Sequence, residues 1–207
     1  HIGPSLGAVE LIVSLHKVFN TPKDIIIYDV SHQTYAHKLI TGRFNNFKSI
    51  RTYKGLSGFT NKHESEYDHF TMGHAGPSIS VALGIKEAFK QKNQNNKVIA
   101  VIGDGSFSSG ISFEGLNNAG MSKNDLIIIL NDNGMSISKN VGALSNWLSR
   151  AMIGTTYQTF KNSLKSFLKG TGKAGEHFLN MAHKFAESAR ILFTPGTLFE
   201  GMGFQYI

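Results

Sequence analysis

Val98-Ile99-Ala100-Val101-Ile102-Gly103-Asp104-Gly105-Ser106 decides the fold. Five consecutive β-branched or small apolar residues describe a strand buried on both faces, and such strands belong to parallel sheets covered by helices. The run stops at Gly-Asp-Gly, and a helix is expected over residues 107–119, halted by Gly120. A second apolar run, Leu126 to Leu130, leads into Asn131-Asp132-Asn133. Strand, helix and strand make a βαβ unit with polar residues just beyond both strand tips.

Working outward, Ile25-Ile26-Ile27-Tyr28 reads as another buried strand, with Asp29 to His32 past its carboxyl end. Before it, Val9, Ile12, Val13, Leu15 and Val18 fall on one side of a short amphipathic helix. Residues 42–67, rich in Gly, Asn, Lys and Ser, read mostly as loops. Gly73-His74-Ala75-Gly76-Pro77-Ser78 is a glycine-rich turn opening a helix that runs to about Gln91, with Pro77 suited to a first helical turn. Beyond Val141 the pattern is helical: Phe178, Ala182, Phe185, Ala189 and Leu192 repeat at helical spacing, and Pro195-Gly196 is expected to end that helix. Gly203 to Ile207 reads as a strand beginning. The fold class is therefore α/β, a doubly wound, mostly parallel sheet with helices on both faces.

The chain of 207 residues is long enough for one large domain with a sizeable core. Hydrophobic residues at 41% and charged residues at 17% are a globular rather than a disordered balance. No apolar run approaches the roughly 18 residues of a membrane-spanning helix, so no membrane partner is expected. The absence of cysteine excludes disulfides and thiolate metal sites. A net charge of +7 favours anionic partners, yet the lysines are scattered, and Lys161, Lys165, Lys169 and Lys173 resemble one solvated helix face. No nucleic-acid recognition motif accompanies them, and no nucleic-acid partner is expected.

Ligands of open parallel sheets bind outside the carboxyl ends of the strands. There the sequence sets Asp104 after one strand and Asn133 after the next, 29 positions apart. A carboxylate and an amide carbonyl without His or Cys form a hard-oxygen donor set suited to Mg²⁺ or Ca²⁺, and Mg²⁺ takes phosphate oxygens in its remaining positions. Gly105 lets the backbone approach a phosphate closely, and the helix start after it offers free N–H groups. Each of these short motifs also makes ordinary turns. Their joint arrangement is the reason to expect a metal–diphosphate cradle.

That arrangement resembles the cofactor motif of thiamine diphosphate enzymes. Other segments narrow the resemblance to the 1-deoxy-D-xylulose-5-phosphate synthases: residues 1–7 (HIGPSLG), 28–35 (YDVSHQTY), 64–68 (ESEYD), Gly73-His74, 131–138 (NDNGMSIS) and 195–200 (PGTLFE). The resemblance implies that residues 1–207 form the thiamine diphosphate-binding domain of a longer multidomain chain. It implies metal ligation by Asp104, Asn133 and the backbone carbonyl of Met135, with Mg²⁺ as the metal. Cofactor contacts fall on His32, Gly73, His74, Ala75, Gly105, Ser106 and Asn133, and catalytic roles on His1 and His32. The implied reaction joins pyruvate to D-glyceraldehyde 3-phosphate with loss of CO₂, in a homodimer of the bacterial cytoplasm or a plastid-type organelle, supplying isoprenoid and thiamine precursors. The glutamate that activates the aminopyrimidine, and the groups for the substrate phosphate, are expected in a following domain.

His16, His37, His63, His69, His177 and His183 are expected to be ordinary structural histidines, with His37 near enough to His32 to support it. Arg43 and Arg51 are expected to be solvated loop residues. Two departures from the family stand out. Ala75-Gly76-Pro77 replaces small hydroxyl residues, each worth about 1 kcal/mol as a hydrogen bond, and Gly134 replaces an acidic residue. A non-catalytic module that keeps the fold, and another transketolase-like enzyme or its amino-terminal subunit, are the rival readings.

Overall fold

A computed structural model describes residues 1–131 and 195–207 of the chain. The residues fall into two compact units, His1–Lys139 and Asn140–Ile207. Asn133, Met135, Gly134, the basic helix face at 161–173 and the helix expected over 178–192 lie outside the described residues.

In the first unit the three apolar runs become strands β1 (Ile25–Tyr28), β2 (Val98–Gly103) and β3 (Leu126–Asn131), hydrogen-bonded in the order β1-β2-β3 and parallel throughout. The register pairs Ile26 with Ile99 and Ile99 with Ile127, and Tyr28 with Val101 and Val101 with Ile129. Side chains alternate along a strand, so these residues share one face. Helix α2 (Val9–Val18) packs there through Ala8, Ile12 and Leu15, with Ala36 of the short helix α3 (Tyr35–Lys38) beside them. On the opposite face lie α4 (Ser78–Gln91) and α6 (Gly110–Ser122), in contact with each other, with Ile79, Ala82, Leu116 and Ala119 buried. Successive crossovers in one direction put both connecting helices on the same side. The sheet thus carries helices on both faces, as the apolar runs require.

Three local expectations need correction. The helix expected over 107–119 is two pieces: α5 (Asp104–Phe107) and, after a break at Ser108 and Ser109, α6. Gly120 does not end α6, which continues to Ser122 and stops where Lys123 turns left-handed at φ 50°. Propensity makes Gly a poor helix residue, but a packed face overrides it. In α2, Ile12 and Leu15 are buried whereas Val13 and Val18 face outward, so the apolar stripe is narrower than the sequence suggests. Residues Ile2–Leu6 form an additional short helix, α1. The loop-rich region after residue 38 holds only a π-helical turn (Leu39–Arg43) and a 3₁₀ turn (Phe47–Ser49).

In the second unit, Pro195–Gly201 form a helix, α7. No strand forms at 203–207. Gly203, at φ 94°, terminates α7: its N–H donates to the Glu200 carbonyl at 2.9 Å and that of Phe204 to the Phe199 carbonyl at 3.0 Å. This is the Schellman arrangement, which needs the left-handed residue that Gly supplies. The Phe199 and Tyr206 rings stack with centroids 5.7 Å apart, folding the last residues back onto the helix. Among the described residues no helix is long and apolar enough to cross a membrane.

Candidate cofactor site

β1 ends in a backbone bend that aims His32. Val30 and Ser31 both adopt left-handed conformations, at φ 53° and 69°. For a β-branched residue this costs on the order of 1–2 kcal/mol and persists only where surroundings enforce it. They do: Thr34 Oγ1 donates to the Ser31 carbonyl at 2.6 Å, Gln33 Nε2 to the Asp29 carbonyl at 3.1 Å, and the Thr60 N–H to Ser31 Oγ at 2.9 Å. Ser5 Oγ of α1 donates to the His32 carbonyl at 3.2 Å. That bond draws in the first residues, and the His1 and His32 rings lie with centroids 5.0 Å apart.

The glycine-rich turn reaches the same place through Asp29. Its carboxylate is buried and accepts the N–H of Gly76 at 2.8 Å and of Ser78 at 3.1 Å. Gly76 itself is at φ 98°, and a Cβ there would collide with Ser109 Oγ. The Ser112 hydroxyl lies 3.2 Å from the Gly76 carbonyl and 3.1 Å from the Ser106 carbonyl, bridging the glycine turn to the Gly103-Asp104-Gly105 segment. Finally the sheet register sets Asn131 beside Gly103, so Asp104 follows a strand tip that lies next to the end of β3.

His1, His32, the 73–76 turn and the 104–106 segment are therefore joined by one continuous set of contacts at the carboxyl edge of the sheet. Gly73, His74, Ala75 and Gly105 are exposed, and Asp104, Ser106 and His32 are half-buried. Asn133 and Met135, the other expected metal ligands, are not among the described residues. Those residues contain no group of three or more His, Cys, Asp or Glu placed to hold a metal. The expected donor set has a single carboxylate and would not form such a group.

The described residues suit a diphosphate cofactor. A Cβ at Gly73 would meet no atom of the described residues. His32 Nδ1 is buried with no hydrogen-bond partner among the described residues. Burial lowers its pKa, and the positive charge of Arg51 adds to this against the opposing pull of Asp29. The ring is neutral at pH 7, able to hydrogen-bond without adding a fixed charge. The model for 1-deoxy-D-xylulose-5-phosphate synthase, in its amino-terminal part, matches residues 1–207.

The chain belongs to the 1-deoxy-D-xylulose-5-phosphate synthase family.

Among curated relatives, 1-deoxy-D-xylulose-5-phosphate synthase 2 of Geobacter sulfurreducens and synthase 1 of Geobacter metallireducens are each 52% identical over all 207 residues, and the synthase of Syntrophus aciditrophicus is 51% identical. The chain spans about a third of their length: 33%, 33% and 32%.

Beside the cradle of this synthase-family chain sits a second polar cluster that sequence reasoning did not assemble. Arg43 is not solvated. It is buried and grips Asp68 with both terminal nitrogens, at 2.7 and 3.0 Å. Asp68 also accepts from His37 Nε2 at 2.8 Å and from the Asn61 N–H at 2.8 Å. Lys38, fully buried, donates to Glu64 at 2.6 Å. Burial alone would raise the Asp68 carboxyl; the hydrogen bonds from His37, Arg43 and Asn61 outweigh it and hold the group well below the usual carboxylate range. An ionised Asp68 can only accept, so His37 Nε2 carries a proton. The neutral ring then accepts at Nδ1 from His16 Nε2, 2.9 Å away, and His16 Nδ1 accepts from Thr21 Oγ1 at 3.0 Å. His37 thus supports the fold through Asp68 rather than His32. Arg51 lies over the Phe59 ring at 5.0 Å and donates to the Tyr35 hydroxyl at 2.9 Å. The segment Glu64-Ser65-Glu66-Tyr67-Asp68 carries two of the cluster's carboxylates, but nothing in its spacing names Arg43 or His16 as partners.

Proposed function

We propose that this chain grips the diphosphate of thiamine diphosphate through Mg²⁺, as the amino-terminal part of a 1-deoxy-D-xylulose-5-phosphate synthase. The observation that carries the reading is the register of β2 and β3, with Gly103 beside Asn131, together with the glycine turn braced against the same edge. Asp104 supplies a carboxylate ligand, Asn133 an amide oxygen and Met135 its backbone carbonyl. Gly105 and Ser106 face the diphosphate from the start of α5, and Gly73, His74 and Ala75 meet it from the opposing turn. When bound, the cofactor supplies the carbon nucleophile for joining pyruvate to D-glyceraldehyde 3-phosphate with release of CO₂. His32, neutral and with Nδ1 unpartnered among the described residues, orients the cofactor at its diphosphate side, and His1 beside it handles a proton or positions substrate. The whole enzyme is a homodimeric transferase of isoprenoid and thiamine biosynthesis, in the bacterial cytoplasm or a plastid-type organelle, acting on small molecules. The names and lengths of the relatives support this reading.

Calorimetric titration with thiamine diphosphate tests it. Binding should require Mg²⁺ and vanish in Asp104→Ala while the far-ultraviolet spectrum is unchanged; metal-independent binding, or unaltered affinity in the variant, refutes the assignment. In the whole synthase, His32→Ala should depress kcat more than cofactor affinity.

A further inference from the structure

The glycine-rich turn cannot hold itself in place. Helix α4 starts at Ser78 with Pro77 at its cap position, and no side chain of its own segment caps it. The N–H groups of Gly76 and Ser78 would otherwise be orphan donors of a helix start. Both are taken by one side chain, 47 and 49 residues earlier in the chain. Asp29 is 1% exposed, at the end of β1, and its own N–H is fixed to the Val101 carbonyl of β2 at 2.7 Å. It therefore has little freedom to move, and three residues later the same segment carries His32.

We propose that Asp29 is a positioning residue for the diphosphate site, clamping the backbone of the 73–78 turn to the strand edge without touching the cofactor. This rests on the reading of that turn as one wall of the cradle. Two observations favour a role beyond capping one helix. The clamp binds at Gly76, inside the turn, as well as at Ser78. On the other side of the same residue, the Gly76 carbonyl meets Ser112, which also reaches the Ser106 carbonyl beside Asp104. Asp29 holds the donor of Gly76 and Ser112 its acceptor, so the distance between the two phosphate-facing walls is set from both sides of a single peptide segment.

Asp29→Asn keeps size and one accepting oxygen but turns an amide NH₂ toward one of the two N–H groups. The chain and this variant are titrated with thiamine diphosphate, and separately with inorganic pyrophosphate, each with Mg²⁺. Both ligands should bind about tenfold more weakly to the variant, the size of one lost hydrogen bond to a charged group. Amide hydrogen exchange should accelerate over residues 73–80 and stay unchanged over 9–18. Ser112→Ala should show the same pattern at a smaller, about threefold scale. Ile12→Val, on the opposite face of the sheet, controls for stability: it should lower Tm without weakening either ligand. Unchanged affinity and exchange in Asp29→Asn overturn the proposal, as does an equal loss of affinity in Ile12→Val. If Asp104→Ala binds as well as the parent, the cradle reading falls instead, and the exchange over 73–80 alone shows whether Asp29 holds the turn.

Discussion

Two polar regions sit at the carboxyl side of β1, a few residues apart in sequence, and they solve opposite problems. In the cluster of Lys38, Arg43, Glu64 and Asp68, two cations and the Asp68 carboxylate are buried with Glu64 half-buried beside them, and His37 and His16 continue the hydrogen-bond chain to Thr21. Removing such charges from water is costly, so every one must find a partner. In the candidate site of His32, Gly73–Ala75 and Asp104–Ser106, residues are half-exposed or exposed, and among the described residues nothing lies against the Cα of Gly73 where a Cβ would stand and His32 Nδ1 has no partner. The lesson is that quoted family segments of equal prominence have different tasks. Charges withdrawn from water in the first region are paired with one another, whereas the second region stays open at the sheet edge.

The sharpest way to break this contrast is Asp68→Ala. It strips acceptors from Arg43, His37 and the Asn61 N–H at once and should cost about 3–5 kcal/mol in urea unfolding; a loss under 1 kcal/mol would show that the cluster is not a structural keystone. Next comes Gly76→Ala, which meets both an unfavourable φ and Ser109. It should cost about 2 kcal/mol, while also weakening cofactor binding, and the two effects should appear together in thermal melts and titrations. Acid sharpens the comparison in a different way. Burial, and then the neighbouring His37 charge, push His16 down to about 4, and burial lowers His37 as well. The unfolded chain therefore binds more protons between about pH 6.5 and 4, so stability is fully present above that window and falls as pH falls through it. Protonation would also set two N–H donors against each other between the rings. A flat Tm from pH 7 to 4.5 would contradict this. The smallest effect is expected away from both regions: Asp125→Asn, which breaks the exposed pair with Lys97, should change stability by no more than about 0.5 kcal/mol.

The legible part of the fold was the part written as burial. Ile25–Tyr28, Val98–Ile102 and Leu126–Leu130 have no polar residue to place at a surface, and they form the parallel strands. The edges of helices were less legible. Gly120 looked like a stop, but it lies on a helix whose face packs against α4, and Gly203, not noticed as a cap, turns the chain back where a strand was expected. Within the candidate site, Asp104, Gly105 and the glycine turn stand out in the sequence because their residue types are chemically restrictive. Asp29 and Ser112 do not, since one buried Asp and one helical Ser carry no local mark of the distant backbone they hold.

By itself the sequence determined which segments must be buried in parallel, where oxygen donors follow strand tips, and which family the chain resembles. It could do so because apolar runs and glycine-acid motifs act over a few residues. Only the tertiary structure decided that Asp29 clamps a turn 47 residues away, that Arg43 is an interior ion, and that His16, His37 and Asp68 form one directed chain. Those choices depend on which groups lose water together, and that is settled by packing between segments rather than by any one of them.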